Sequence, residues 1–294
     1  MSEEDEVSMQ SDSGRLARVL MKHARDAYVG REAIDAQWRG LRYLGPPDYE
    51  EACRESDALA ELLVGLGVEV LWASAEDTGM DSIYVRDASV LADRGAILCS
   101  MGKEARRAEP EALIREYEKL GVPVVGSIGG EGRLEGGDIT WLGPRTLAAG
   151  RGYRTNDEGI RQLVQLLGDA VDEVVTVPLP HWRGPSDVFH LMSVISPLAP
   201  DLVLVYSPLL PVPFREALLC RGIDLVEVPD EEFDSMGCNV LSVAPSVAVA
   251  MEGNPETHRR MEAAGVEVHT YAGAEISAKG CGGPTCLTRP LERS

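Results

Sequence analysis

The sequence predicts an α/β fold of five repeated strand–turn–strand–helix–strand units around a pseudo-fivefold axis. Two observations carry this expectation. Asp87, Asp138, His190, Asn239 and Cys286 recur at intervals of roughly 50 residues, each beside a short apolar, β-branched run. Between them the same order of elements repeats, a hairpin signal, then a helical pattern, then a returning strand. If each unit brings its strand end to a common centre, a thiol, an imidazole and several carboxylates meet there. Such a set suits nucleophilic catalysis with acid–base help.

The elements follow in order. Residues 1–13 are acidic and serine-rich, and their composition predicts a disordered tail, leaving 14–294 as one catalytic domain. Leu16–Met21 reads as the first strand. Apolar spacing predicts a helix over 49–66, closed by Gly67, and a strand over 68–72. The next unit pairs 82–85 and 89–91 with 96–100 across the turn Asp93-Arg-Gly95. Its helix spans 109–120 and ends at Gly121, and 122–125 returns. The third unit has strands 139–142 and 146–149, a helix over 156–167 and a strand over 173–177. The fourth has 189–195 and 202–206, a helix near 214–220 and a strand over 225–228. The fifth has 240–243 and 248–251, a helix over 255–264 and a strand over 266–270. Thr285–Leu287 is expected to close the ring against the first strand.

Composition bounds the function. The chain has 294 residues, 44% of them apolar, enough to bury a full core. A formal charge of −20 repels phosphate polyanions, which argues against nucleic-acid partners and weakly favours small cations. No apolar run is long enough for a membrane helix, and Met1-Ser-Glu-Glu-Asp-Glu lacks the basic start of a signal peptide. A cytoplasmic protein with no membrane partner is expected. The six cysteines are scattered, so they read as reduced thiols rather than a disulfide framework. Cys281 and Cys286 lack a second pair to complete a zinc site, and neither metal nor cofactor is expected. A homodimer is left open.

Four stretches can carry chemistry. Leu134-Glu-Gly-Gly-Asp-Ile139 sets two glycines between two acids at the start of a strand, permitting a sharp backbone path and close approach of a ligand. Asp81 and Asp87 bracket Ser-Ile-Tyr-Val-Arg. His190 sits in the apolar context Phe189-His-Leu-Met, and Cys286 follows Gly282-Gly-Pro-Thr. Taken singly, each reads equally well as a turn acid, a satisfied core histidine or an inert buried thiol. Their shared register makes them a set. His23, His181, His258 and His269 lack that register and read as structural or exposed.

Together, Leu134-Glu-Gly-Gly-Asp, Tyr153-Arg-Thr-Asn, Phe189-His-Leu and Gly282-Gly-Pro-Thr-Cys-Leu-Thr resemble the guanidine-modifying enzymes of the pentein superfamily. Within it the chain is most similar to dimethylarginine dimethylaminohydrolases, over about residues 14–294. The resemblance implies a five-bladed α/β propeller. It implies hydrolysis of an Nω-methylated L-arginine to citrulline and an alkylamine through a covalent thiouronium on cysteine. Cys286 matches the nucleophile, His190 the group that protonates the departing amine and then activates water, and Glu135 the acid that orients the histidine. Asp87 matches the acid that holds the guanidinium, and Asp81 a further acid of the same pocket. Arg106 and Arg154 match the arginines that grip the substrate α-carboxylate. Ser193 matches a residue whose backbone carbonyl faces the substrate, and Asp138 is placed among the substrate-binding residues.

Three positions depart from the pattern. Arg86 stands where many members carry an acid, and Arg86-Asp87 matches arginine deiminases and amidinotransferases instead. Met192 stands where deiminases place an aspartate that grips an unmethylated guanidinium. Cys281 replaces an acid of some relatives. Arginine deiminase or dihydrolase activity is therefore the alternative, followed by amidino transfer and, remotely, a non-catalytic binding module.

Overall fold

The computed structural model describes residues 7–74, 78–187 and 189–294. The first strand, β1 (Leu16–Met21), leads into three helices, α1 (Ala24–Tyr28), α2 (Arg31–Leu41) and α3 (Tyr49–Gly65), and then β2 (Glu69–Trp72). The next three units each read strand, strand, helix, strand. They are β3 (Ser89–Ala92), β4 (Gly95–Leu98), α4 (Glu109–Leu120) and β5 (Val124–Ser127); β6 (Ile139–Gly143), β7 (Thr146–Arg151), α5 (Asp157–Leu167) and β8 (Glu173–Pro178); and β9 (Ile195–Ala199), β10 (Leu202–Val205), α6 (Val212–Cys220) and β11 (Asp224–Glu227). A short α7 (Asp230–Phe233) precedes β12 (Leu241–Ala244), β13 (Val247–Met251), α8 (Pro255–Ala263) and β14 (Glu267–Tyr271), and β15 (Thr288–Arg293) ends the chain.

Among the described residues, fifteen strands form five three-stranded sheets, one per unit. In each, the middle strand pairs antiparallel with its hairpin partner and parallel with the strand beyond the helix, as β3–β4–β5 does. A tight turn suffices for the first pairing, whereas the second needs a crossover, which the helix supplies. The first sheet uses both ends of the sequence, β15 lying antiparallel to β1 with Leu20 opposite Arg289 and Met21 opposite Thr288. The closing segment thus falls just after the expected Thr285–Leu287.

Local signals place the helices. Asp48 caps α3 by accepting from Glu51 N–H, and Asn156 caps α5 by accepting from Gly159 N–H. Leu59 and Leu63 on the inner face of α3 are fully buried, and each contributes roughly 2–5 kcal/mol relative to alanine. Strands β3 and β4 are buried throughout, as expected for sheets covered on both faces.

Three expectations need correction. The stretch 82–85 is not a strand; Met80–Ile83 forms a 3₁₀ turn, and Tyr84 is fixed by its hydroxyl donating to Ile276 O at 3.1 Å. Likewise Leu191–Ser193 is a 3₁₀ turn, and the strand starts only at Ile195. Both apolar runs look like strands because they are buried, but each turns a polar residue toward the centre. The third concerns the tail. Residues 1–6 lie outside the described residues, but 7–13 are not a disordered tail. Ser8 exchanges backbone hydrogen bonds with Arg293 at 2.7 and 2.8 Å, and Gln10 Nε2 donates to Pro144 O at 2.6 Å. Asp12 is buried beside Arg86. Composition alone misled, because these polar side chains meet buried polar partners rather than water.

No helix among the described residues is long and apolar enough to cross a membrane.

Candidate active site

Each of the five sheets has a polar residue shortly before the outer strand that runs antiparallel to its middle strand. Asp87 precedes β3, Asp138 precedes β6, His190 precedes β9, Asn239 precedes β12 and Cys286 precedes β15. The register read from the sequence is therefore a structural register, and it brings these residues together. His190 Nδ1 lies 3.8 Å from Asp87 Oδ1. Asn239 Nδ2 donates to Cys286 Sγ at 3.3 Å. Cys286, His190 and Asn239 line one cavity of about 230 Å³, together with Met192 and Ser193. A narrower cleft on the other side of Cys286 and His190 is lined by Asp81, Asp87, Lys103 and Arg154.

The glycines of the Glu-Gly-Gly-Asp turn make this approach possible. A Cβ on Gly137 would sit 2.5 Å from His190 Nδ1 and 2.7 Å from Asp87 Oδ1, closer than any side chain tolerates. A Cβ on Gly136 would strike the carbonyl oxygens of Arg86 and Ser89. The paired glycines thus let three loops close on one point.

Glu135 is wholly buried and accepts from His190 Nε2 at 2.7 Å. It also accepts from Gly102 N–H at 2.9 Å and lies 3.2 Å from Arg154 Nη1. Burial opposes its charge, but the hydrogen bond and charge of His190, then Arg154, hold the carboxyl well below its usual range. Burial likewise opposes the imidazolium, yet Asp87, Asp138 and Glu135 raise His190 to about 9. Near neutral pH it is therefore protonated and able to donate. Asp87 Oδ2 accepts from Arg106 Nη1 at 2.5 Å, while its Oδ1 is buried and accepts no hydrogen bond among the described residues. An orphaned carboxylate oxygen beside a thiol is an acceptor waiting for a cationic donor.

Desolvation, and then the charge of Asp87, push the Cys286 thiol up to about 11. The free protein thus holds a thiol, and a bound cation is needed to favour the thiolate. Alkylation of Cys286 by iodoacetamide is expected to be slow at pH 7 and to climb towards pH 11. Added guanidinium ion should move that rise to lower pH. A midpoint below pH 7 in the free protein would contradict this environment.

Other expected site residues take different places. Arg106 is buried, with Nε and Nη2 bonded to Glu109 and Nη2 also to Tyr84 O at 2.9 Å. Its remaining nitrogen faces Asp87, so it is already engaged and is not the free carboxylate grip the resemblance implied. Instead it orients Asp87. Arg106 and Arg154 both line the cleft, and Arg154 Nη1 lies against Glu135. Asp81 faces the cleft too, but Lys103 Nζ meets it at 2.5 Å. Lys103 was missed because nothing in its local sequence marks it. Asp138 lines neither cavity; its Oδ1 accepts from Leu191 N–H at 3.0 Å, fixing the segment that carries His190. Burial raises its carboxyl to about 6. Ser193 accepts from His190 N–H at 3.1 Å through Oγ. Arg86 lines the larger cavity, and its guanidinium donates to Asp12 Oδ1 at 2.6 Å.

Asp87, Glu135 and His190 are the one described group whose ligand atoms gather within metal-binding range, 4.8 Å.

The family model described as Arginine deiminase matches residues 80–212 and 207–293. The chain belongs to the arginine deiminase family. It is 29% identical over 256 residues to the arginine deiminases of Mycobacterium marinum (strain ATCC BAA-535 / M) and Rhodococcus erythropolis (strain PR4 / NBRC 100887). These matches cover 72% of the chain and 60% of each relative, so the chain spans well under two thirds of the curated relatives' length. Among solved structures, DDAH from Pseudomonas aeruginosa, complexed with citrulline, superposes with a TM-score of 0.74 at 22% identity, covering 94% of this chain and all of that one (100%). The N-terminal domain of ArgZ, an arginine dihydrolase from the ornithine–ammonia cycle in cyanobacteria, gives 0.76 at 19%, covering 94% and 97%. SxtG, an amidinotransferase from Microseira wollei, gives 0.76 at 16%, covering 98% and 97%. At these identities the structural likeness is one of fold. Family and fold together bear out the pentein recognition made from the motifs.

Proposed function

We propose that this arginine deiminase family member hydrolyses the guanidinium group of an Nω-methylated L-arginine, giving L-citrulline and an alkylamine. In this reading the five sheets ring a pseudo-fivefold axis, with the site at one end. The substrate cation occupies the space between Asp87 Oδ1 and the thiol, and its charge favours the thiolate, the Cys286 proton passing to solvent because His190 is already protonated. The sulfur attacks the guanidinium carbon. As the S–C bond forms and a C–N bond breaks, protonated His190 gives its proton to the departing amine. Neutral His190 then takes a proton from water, whose oxygen bonds to the same carbon as the C–S bond breaks and the thiol is restored. Glu135 holds the imidazole in line for both steps.

One observation carries the choice of substrate: Met192, 2% exposed, lines the cavity beside Cys286 and His190 with an apolar side chain. An unmethylated guanidinium has an N–H there with no acceptor, which costs about 1–3 kcal/mol or roughly 5- to 150-fold. A methyl group needs no acceptor and gains apolar contact. The second reading, ammonia release from plain arginine, rests on the family and on Arg86-Asp87. The side chain of Arg86 is turned to Asp12, so that residue gives the second reading less support than the sequence suggested.

Incubation with arginine, monomethylarginine and dimethylarginine, with identification of the released amine, tests this. A higher kcat/KM for the methylated substrates is expected. Met192→Asp should move preference towards arginine. Faster ammonia release from arginine by the unaltered enzyme contradicts the proposal and leaves the second reading standing.

A further inference from the structure

Next to the site lies a buried charged group that the mechanism does not use. Arg86 and Asp12 pair at 2.6 Å, with side chains only 3% and 5% exposed. Asp12 Oδ2 also accepts from Thr140 Oγ1 at 3.1 Å and from Trp141 N–H at 2.8 Å. Arg289 and Arg293 are buried nearby; Arg289 donates to Arg86 O, and Arg293 donates to Ser242 O at 2.8 Å. Burial, and for Arg289 the neighbouring charge of Arg86, push both guanidiniums down to about 10, which marks a centre crowded with cations. Asp12 is the carboxylate bonded within this group.

The backbone of Arg86 joins the catalytic loops. Its N–H donates to Cys286 O at 3.2 Å, and the next residue, Asp87, accepts from Gly136 N–H at 2.8 Å through its carbonyl. Arg289, three residues after Cys286, holds the Arg86 carbonyl. The strand junctions bearing the nucleophile, the guanidinium acid and the Glu-Gly-Gly-Asp turn are therefore tied at Arg86. Only its side chain reaches out of that knot, and it reaches Asp12 on the segment before β1.

We propose that Asp12 is a positioning residue for Cys286 and Asp87, acting through the Arg86 side chain. The N-terminal segment 8–13 is then part of the catalytic apparatus rather than an appendage. A displacement of about 1 Å at the reacting atoms lowers rates by up to roughly 100-fold, and removing Asp12 frees Arg86 to move by that order.

The catalytic part of this inference rests on the proposed guanidine chemistry, so the test carries a readout independent of substrate. Two variants are compared with the unaltered chain, Asp12→Asn and the pair Asp12→Asn/Arg86→Gln. The pair removes both charges, so it folds even where the single change leaves a buried cation uncompensated. For each folded protein, the iodoacetamide rate at Cys286 is followed against pH by peptide mass spectrometry, with exposed Cys220 on α6 as internal standard. Turnover on the substrate found best above is measured alongside. Expected in both variants are a shifted Cys286 pH profile with Cys220 unchanged, and a kcat at least about tenfold lower with KM nearly unchanged. A normal Cys286 profile in the folded pair overturns the proposal, because the ion pair then serves folding alone. A shifted thiol profile in a protein inactive on every guanidine supports positioning while refuting the proposed function.

Discussion

Replacing Cys286 by serine is expected to abolish turnover, by about 1,000-fold or more, with the fold intact. A hydroxyl stays protonated where even a thiol is pushed up to about 11, and no bound guanidinium lowers it far enough. The serine still fits, since a hydroxyl is smaller than a thiol and can keep the hydrogen bond that Asn239 Nδ2 donates to the sulfur at 3.3 Å. Cys281→Ser is the control. Cys281 lines the same cavities, but its sulfur makes only a weak 3.8 Å contact with Ala278 O. It sits at φ 58°, in the left-handed region, so the position shapes the loop between Gly280 and Gly282. Substantial activity should survive there. Equal loss from both substitutions would point to a paired role for the two thiols. Steady-state kinetics with melting curves on each variant decides the matter.

Glu135→Gln should be nearly as damaging, lowering kcat by roughly 100- to 10,000-fold. The amide keeps the shape but removes the charge that, with Asp87 and Asp138, raises His190 to about 9. The pH dependence of stability has a definite sign. His190 has its folded-state value raised above 6.5, so its contribution is complete below about 6.5 and is lost as pH rises towards 9. Glu135 is lowered from 4.5, so its contribution is present above that value and is lost in acid. The two describe one ion pair and count once. The difference in melting temperature between the unaltered protein and Glu135→Gln should be largest near pH 5–6 and shrink towards pH 9. A difference growing with pH would mean that His190 is neutral in the folded state.

Much of the site was legible because the repeat imposes it. Asp87, Asp138, His190, Asn239 and Cys286 could be aligned by spacing, and each does precede the strand antiparallel to a sheet's middle strand. What spacing could not tell is which way a side chain turns. Arg86 and Asp87 are neighbours, yet one faces Asp12 and the other His190. Arg106 fits a substrate-binding arginine by pattern, but Glu109 stands three residues on and captures it. Asp12 was hidden in a polar stretch whose composition matches a disordered tail, because burial against Arg86 is a long-range fact. Helices α1 and α2 went unread for a local reason. Gly30 and Gly40 interrupt their pattern, while packing of Ala24, Tyr28 and Ile34 into the core overrides that weak propensity.

The central claim is that Cys286 forms a covalent bond to the carbon of a guanidine. Rapid acid quenching of the enzyme during turnover of methylarginine, followed by peptide mass spectrometry, tests it most directly. The account predicts a thiouronium adduct on the peptide containing Cys286, present during turnover and gone when substrate is exhausted. Sustained turnover with that peptide unmodified at every quench time, or an adduct on a different residue, would contradict it.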